Sequence, residues 1–309
     1  MLEAYQFLVE NYDRVGRDRI YIFGFSRGAY TARVLAGFIH AFGMMEKRNL
    51  NLLSYAFRAY KRINEDKESS FDEIRLYERT LQTDKTPIQC LGLFDTVASL
   101  IEWHRFLPRL KSFEYTEQNP SVISVRHAVA IDEFRTMFRP TLWPKDTMFL
   151  KNREDLESTT PQDVKEVWFS GVHGDVGGGY PEADSGLAKI PLHWMIDETQ
   201  TEGLIFRSEL VNSLVHGARE DRDYVGCDHL AKAHKSMTRL WAILEFLPSR
   251  KRKHSKRTSI AGLALPLFER RYIPEGATLH QSVQDRIDES DYAPTNLPDS
   301  YALEPWSPK

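Results

Sequence analysis

Arg19-Ile20-Tyr21-Ile22-Phe23-Gly24-Phe25-Ser26-Arg27-Gly28-Ala29-Tyr30-Thr31-Ala32 is the stretch on which the fold turns. Five β-prone residues lead into a Gly-x-Ser-x-Gly turn, and apolar residues at helical spacing follow as far as Ile39. A strand that turns this sharply into a helix holds its serine exposed, in strained backbone geometry. A serine hydroxyl becomes a useful nucleophile when it is held this way, given a base, and faced with donors for an oxyanion. Gly24 and Gly28 are expected to be small so that the turn can form. Ala29 and Ala32 let the helix lie close to the strand, and the Arg27 N–H is the expected oxyanion donor. The competing reading is an ordinary strand-to-helix turn in which Ser26 only caps the helix.

Working outward, residues 2–15 carry apolar positions at helical spacing and end at Gly16. Segments 51–63 and 72–82 read as amphipathic helices separated by the polar stretch 64–70. Ile88 to Phe94 is an apolar run of the kind found in a buried parallel strand, ending at Asp95. Residues 100–160 are irregular and rich in proline and aromatics, which predicts a cap or long insertion. A further strand from Val164 to Val172 runs straight into His173-Gly174-Asp175-Val176-Gly177-Gly178-Gly179-Tyr180. Residues 187–200 and 229–247 read as helices. Strands separated by helices predict an α/β fold, one domain over 1–309, with its site at the carboxyl ends of a mainly parallel sheet.

Composition narrows the function classes. The 309 residues have a net charge of −3, which offers no global electrostatic case for nucleic acid. Cys90 and Cys227 are the only cysteines, so a disulfide framework is not expected and a reducing compartment is the default. The first residues lack the blocks of a signal peptide, and no apolar run is long enough to span a bilayer. The default location is therefore cytoplasmic, with signal-independent export left open. No metal-ligand spacing such as H-E-x-x-H occurs, and no cofactor or metal is expected. The run Arg250-Lys251-Arg252-Lys253-His254-Ser255-Lys256-Arg257 reads as a solvated basic loop over 249–257, or as a contact for an anionic membrane surface.

A serine nucleophile needs a histidine base and an oriented carboxylate. Asp95, at the end of the first strand after the elbow, and Asp175, just beyond the next, are both placed to be the acid. Either could instead be a turn-stabilising carboxylate. Three histidines stand as bases: His173 beside Asp175, His234 in a stretch that reads as helix, and His280 in a late segment. The order nucleophile, acid, histidine favours His280 without excluding the other two.

At these residues the chain resembles the α/β-hydrolases related to the phospholipase effectors of bacterial type VI secretion. The phrases that carry the likeness are Gly24 to Arg33, Leu93-Phe94-Asp95-Thr96-Val97-Ala98-Ser99, and Val167 to Tyr180, with lesser echoes at His127–Glu133 and Leu279–Val283. The resemblance implies a lipase or esterase acting on acyl esters or lipids, with Ser26 as nucleophile, Asp95 as acid and His280 as base. Family members begin with a strand ending in an Asp-Gly-Thr-Trp-Asn-like phrase, which this sequence lacks. The resemblance therefore implies an N-terminally incomplete fold: a truncated fragment or gene product, half of a split enzyme whose early strands come from a partner segment, or a relic without activity. The alternative reading is a non-catalytic interaction or regulatory module, or an inactive truncated hydrolase.

Overall fold

The computed structural model describes residues 1–306 apart from 17, 64–75, 78, 82, 98–100, 105, 106, 111, 112, 153, 154, 219–223, 251–253, 256, 260 and 261. The chain divides into two compact units. The first comprises Met1–Leu93, Ala98–Arg126 and Thr141–Lys165; the second comprises Phe94–Val97, His127–Pro140 and Glu166–Lys309.

A mainly parallel sheet contains β1 (Ile20–Phe25), β2 (Ile88–Phe94), β3 (Val122–Ala130), β4 (Asp163–Phe169), β5 (Ala277–His280) and β6 (Tyr301–Glu304), and their spatial order is their chain order. β5 runs parallel to both neighbours, with Thr278 opposite Val167 and Ala277 opposite Tyr301. Parallel neighbours require crossover connections, and described α-helices lie in those that precede β2, β5 and β6. The described helices are α1 (Leu2–Asn11), α2 (Arg27–Phe42), α3 (Leu53–Arg62), α4 (His173–Gly177), α5 (Gly186–Thr201), α6 (Ser208–Leu214), α7 (Arg239–Leu244) and α8 (Gln281–Glu289). None of the described helices is long and apolar enough to cross a membrane.

In the first unit α2 is buried along nearly its whole length, because its small and apolar residues leave no polar face. Phe38 of α2 is surrounded by Tyr5, Phe42, Phe57 and Tyr60, with ring centroids 4.8 to 6.0 Å away. Close approach of α3 also explains Gly37, where a Cβ would come within 2.3 Å of the Tyr60 hydroxyl. The core of the second unit packs Val167 and Phe169 of β4 against Ile190, Trp194 and Met195 of α5.

Several expectations change. Residues 100–160 are not simply an irregular cap: Val122–Ala130 is a strand of the main sheet, and Met148–Asn152 pairs with Asp155–Pro161 as an antiparallel hairpin. The strand escapes notice in the sequence because Arg126 and His127 interrupt its apolar run. Both are buried and satisfied by β4, Arg126 by Asp163 at 2.6 Å and His127 by Glu166 at 2.9 Å. In the stretch 229–247, helix covers only Arg239–Leu244, so His234 lies outside it. Arg271 to Ile273 is irregular backbone, and the late strand begins at Ala277. Most of the predicted helix 72–82, and positions 251–253 and 256 of the basic run, lie outside the described residues.

Candidate active site

Ser26 stands between β1 and α2 with φ 58° and ψ −122°, a conformation seldom adopted by a side-chain-bearing residue. Its side chain makes no capping hydrogen bond to α2, which removes the main support for the capping reading. Gly24 makes the turn sterically possible. A Cβ there would lie 2.5 Å from the Gly28 carbonyl oxygen and 2.7 Å from the Ala29 Cα. Gly28 itself is different, since a Cβ there would meet nothing within 4 Å. The expectation that both glycines are needed for space therefore holds for Gly24 alone. Arg27 opens α2, where the first backbone N–H groups have no intrahelical acceptor.

In the second unit Asp95 follows directly on β2 and is completely buried. Each of its oxygens has two donors. Oδ1 accepts from Arg271 Nη1 at 2.6 Å and from the Ala130 N–H at 3.0 Å. Oδ2 accepts from Arg271 Nη2 at 2.9 Å and faces His173 Nδ1 at 2.5 Å. Burial alone would push the Asp95 carboxyl up, but the Arg271 guanidinium and then His173 override it and hold the group well below the usual carboxylate range. Asp95 is thus an ionised acceptor fixed from four directions. Arg271 is fixed in turn by the carbonyls of Ala130 and Phe138.

His173 opens α4, and the local sequence explains why the chain turns there. Asp175 Oδ2 accepts from the Val172 N–H at 3.0 Å, the reach-back contact of a capping box. Gly171 has φ 103°, and a Cβ on it would strike the Asp175 side chain at 2.4 Å. A Cβ on Gly174 would meet the Tyr180 ring at 2.7 Å. Around the imidazole, the Phe138 ring packs edge-on at 4.9 Å, and Glu133 Oε2 accepts from the His173 N–H at 3.4 Å. Glu133 is buried, yet Arg135, bonded to it through backbone and guanidinium, keeps its carboxyl below the usual value.

Asp175 and His234 form a second pair. His234 Nδ1 lies 2.6 Å from Asp175 Oδ1, and the His234 N–H donates to Asp175 Oδ2 at 3.1 Å. Asp175 therefore does brace a tight turn, as one reading of the sequence had it, and it also holds an imidazole. Just after α4, the Gly178 N–H is bonded to the Gly174 carbonyl.

His280 is placed quite differently. It is the last residue of β5 and the N-cap of α8. Its Nδ1 accepts from the Ser282 N–H at 3.3 Å and lies 2.8 Å from the Ser282 hydroxyl. The ring stacks on Phe169 at 4.7 Å and packs beside Trp306 at 5.4 Å. A triad base donates from Nδ1 to its carboxylate, whereas this nitrogen is used as an acceptor. Burial, with a smaller contribution from His193, pushes His280 down to about 3. The geometry thus brings Asp95 together with His173, and not with the histidine that chain order favoured. Among the described residues no group of three or more His, Cys, Asp or Glu side chains is arranged to hold a metal ion.

The family model for the catalytic domain of Tle1-like phospholipase effectors of type VI secretion matches residues 1–198. The chain belongs to this family. The matched part of this Tle1-like domain contains Ser26, Asp95, His173 and Asp175, while His234, Arg271 and His280 lie beyond it. An uncharacterized protein of Saccharomyces cerevisiae is 34% identical over 144 residues, covering 44% of this chain and 20% of that protein. Among solved structures, an uncharacterized protein from Pseudomonas aeruginosa is similar at 21% identity and a TM-score of 0.31, covering 65% of this chain and 26% of that one. The Tle1 effector bound to the VgrG spike is similar at 20% identity and a TM-score of 0.22, covering 55% and 26%. The Tle1-like chain thus spans about a fifth to a quarter of the length of these relatives.

Proposed function

We propose that the chain is a serine ester hydrolase acting on phospholipids, in which Ser26 attacks the acyl carbonyl, His173 takes its proton and Asp95 orients and stabilises the imidazolium. The observation that carries this reading is the 2.5 Å contact between His173 Nδ1 and Asp95 Oδ2. A base oriented through Nδ1 by an ionised carboxylate presents Nε2 for proton transfer, which is the arrangement a serine nucleophile requires. The strained backbone of Ser26 supports the same reading. So does the family's description as a phospholipase catalytic domain. In the first half-reaction the Ser26 proton passes to His173 as Oγ bonds to the carbonyl carbon. His173 then returns that proton to the leaving alcohol, giving an acyl-enzyme. Water repeats the sequence to release the fatty acid. The Arg27 N–H would donate to the oxyanion in both steps. The basic run 250–257 would favour an anionic lipid surface, at about 1 kcal/mol for each residue close to it.

The test is hydrolysis of short-chain phosphatidylglycerol and of p-nitrophenyl butyrate by the wild-type chain and by Ser26→Ala, His173→Gln and His280→Asn. The expected result is a loss of at least ~10³-fold for the first two variants and retention of activity by the third. Undiminished turnover in Ser26→Ala would sink the mechanism. Loss in His280→Asn with retention in His173→Gln would return the base to His280.

A further inference from the structure

The second histidine–carboxylate pair is built with as much care as the first, and the proton transfers above make no use of it. Asp175 is almost fully buried, whereas the His234 side chain keeps 23% of its surface. The negative end of the pair is therefore shielded, and the imidazole is its accessible end. Tyr180 stacks on the ring face to face, with centroids 3.5 Å apart and planes 9° apart. With Nδ1 committed to Asp175 and one face to Tyr180, Nε2 is the ring nitrogen left to meet a ligand. The ring's hydrogen bond to Asp175 is made through Nδ1, on the side away from Nε2.

The same turn carries His173. Asp175 holds His234 by ring and backbone, and Glu133 bonds both the His173 N–H and the Ser236 hydroxyl two residues beyond His234. Segment 234–236 is thereby stapled at two points to the helical turn that presents His173. A ring held this firmly is pre-organised, and pre-organisation is what lets one hydrogen bond discriminate between ligands. An Nε2–H on a ring backed by a buried carboxylate is a suitable donor to a phosphate oxygen.

We propose that His234, held by Asp175 and Tyr180, is the contact for the substrate's phosphate group, so that it separates phospholipids from neutral esters. This deepens the hydrolase reading and rests on it. His234 takes no part in the proton transfers and acts by binding a non-reacting portion of the substrate.

Two measurements test it. The first is the ratio of kcat/KM for dihexanoylphosphatidylglycerol to that for p-nitrophenyl butyrate. His234→Gln is expected to lower this ratio at least ~10-fold, mainly through KM for the phospholipid, as loss of a charge-assisted hydrogen bond should. His234→Lys, which restores a positive donor, should recover part of it. Equal losses on both substrates would mark a structural role and overturn the proposal, as would an unchanged ratio. The second follows the imidazole ¹⁵N resonances of the Ser26→Ala protein, which needs no turnover. His234 Nε2 is expected to shift on addition of dihexanoylphosphatidylglycerol and not of dihexanoylglycerol. A weaker shift with inorganic phosphate supports the shared chemistry. A response to phosphate with none to the phospholipid would overturn the lipid assignment. Were Ser26→Ala fully active, the hydrolase mechanism would fail while the resonance shift still decided whether His234 binds phosphate.

Discussion

His173 Nδ1 and Asp95 Oδ2 lie 2.5 Å apart, and the carboxylate on one side of that contact is also clamped by both terminal nitrogens of Arg271. The arginine gives the pair its character. A buried carboxylate left alone would take up a proton and become a poor partner for imidazolium. With Arg271 in place it stays ionised, and His173 is held in the tautomer that carries its proton on Nδ1.

Arg271→Met should therefore cost far more than a lost surface ion pair. It leaves Asp95 buried with its main counter-charge gone, for which about 3–5 kcal/mol of destabilisation is expected. Asp95→Asn keeps the shape and should lower kcat by ~10³–10⁴-fold by favouring the wrong tautomer of His173. The double variant Asp95→Asn/Arg271→Met should be more stable than the sum of the single losses, because neither charge is then stranded. Urea unfolding of the four proteins measures the coupling. Strict additivity would show that the pair is not energetically linked.

The two glycines of the elbow should respond in opposite ways. Gly24→Ala forces a Cβ to within 2.5 Å of the Gly28 carbonyl and 2.7 Å of the Ala29 Cα, so backbone has to move. Displacement of the elbow should lower kcat/KM severalfold, rising towards ~10²-fold as the misplacement approaches about 1 Å. Gly28→Ala meets open space inside a helix, where alanine is favoured by about 1 kcal/mol. Its melting temperature should hold or rise. Equal losses of activity in both variants would contradict this account of the turn.

What could be read from the sequence was set by how local each constraint is. Ser26 and Gly24 were legible because the strand, the turn and the helix that define the elbow are contiguous. β2 was legible because Ile88 to Phe94 is mostly apolar and lies between Pro87 and Asp95. β3 was hidden by Arg126 and His127, whose charge partners Asp163 and Glu166 lie 37 and 39 residues further on. Arg271 was hidden in the same way, meeting Asp95 across 176 residues. Asp95 and His173 both stood among the candidates. Choosing between histidines required knowing which ring nitrogen faces a carboxylate, and chain order carries no information on that point.

The burial of His280 can be measured in acid. The folded value of His280 is about 3, against an ordinary value of about 6.5 in the unfolded chain. Between those limits the unfolded state binds the extra proton and the folded state does not. Stability from this group is therefore complete above about pH 6.5, falls as pH drops through the window, and levels off below about pH 3. The slope is about 1.4 kcal/mol per pH unit for one proton, and the full effect is of order 5 kcal/mol. Protonation would also disable the Nδ1 acceptor that caps α8 through the Ser282 N–H. His280→Asn supplies a capping side chain without a titrating group. It should lose stability at pH 7, because the stacking on Phe169 and Trp306 is gone, yet be less sensitive to acid. Urea midpoints between pH 7 and pH 4 should show a slope shallower by about one proton than that of the wild-type chain. An unchanged slope would mean that His280 is protonated in the folded state, and that its ring is not the neutral helix cap its contacts describe.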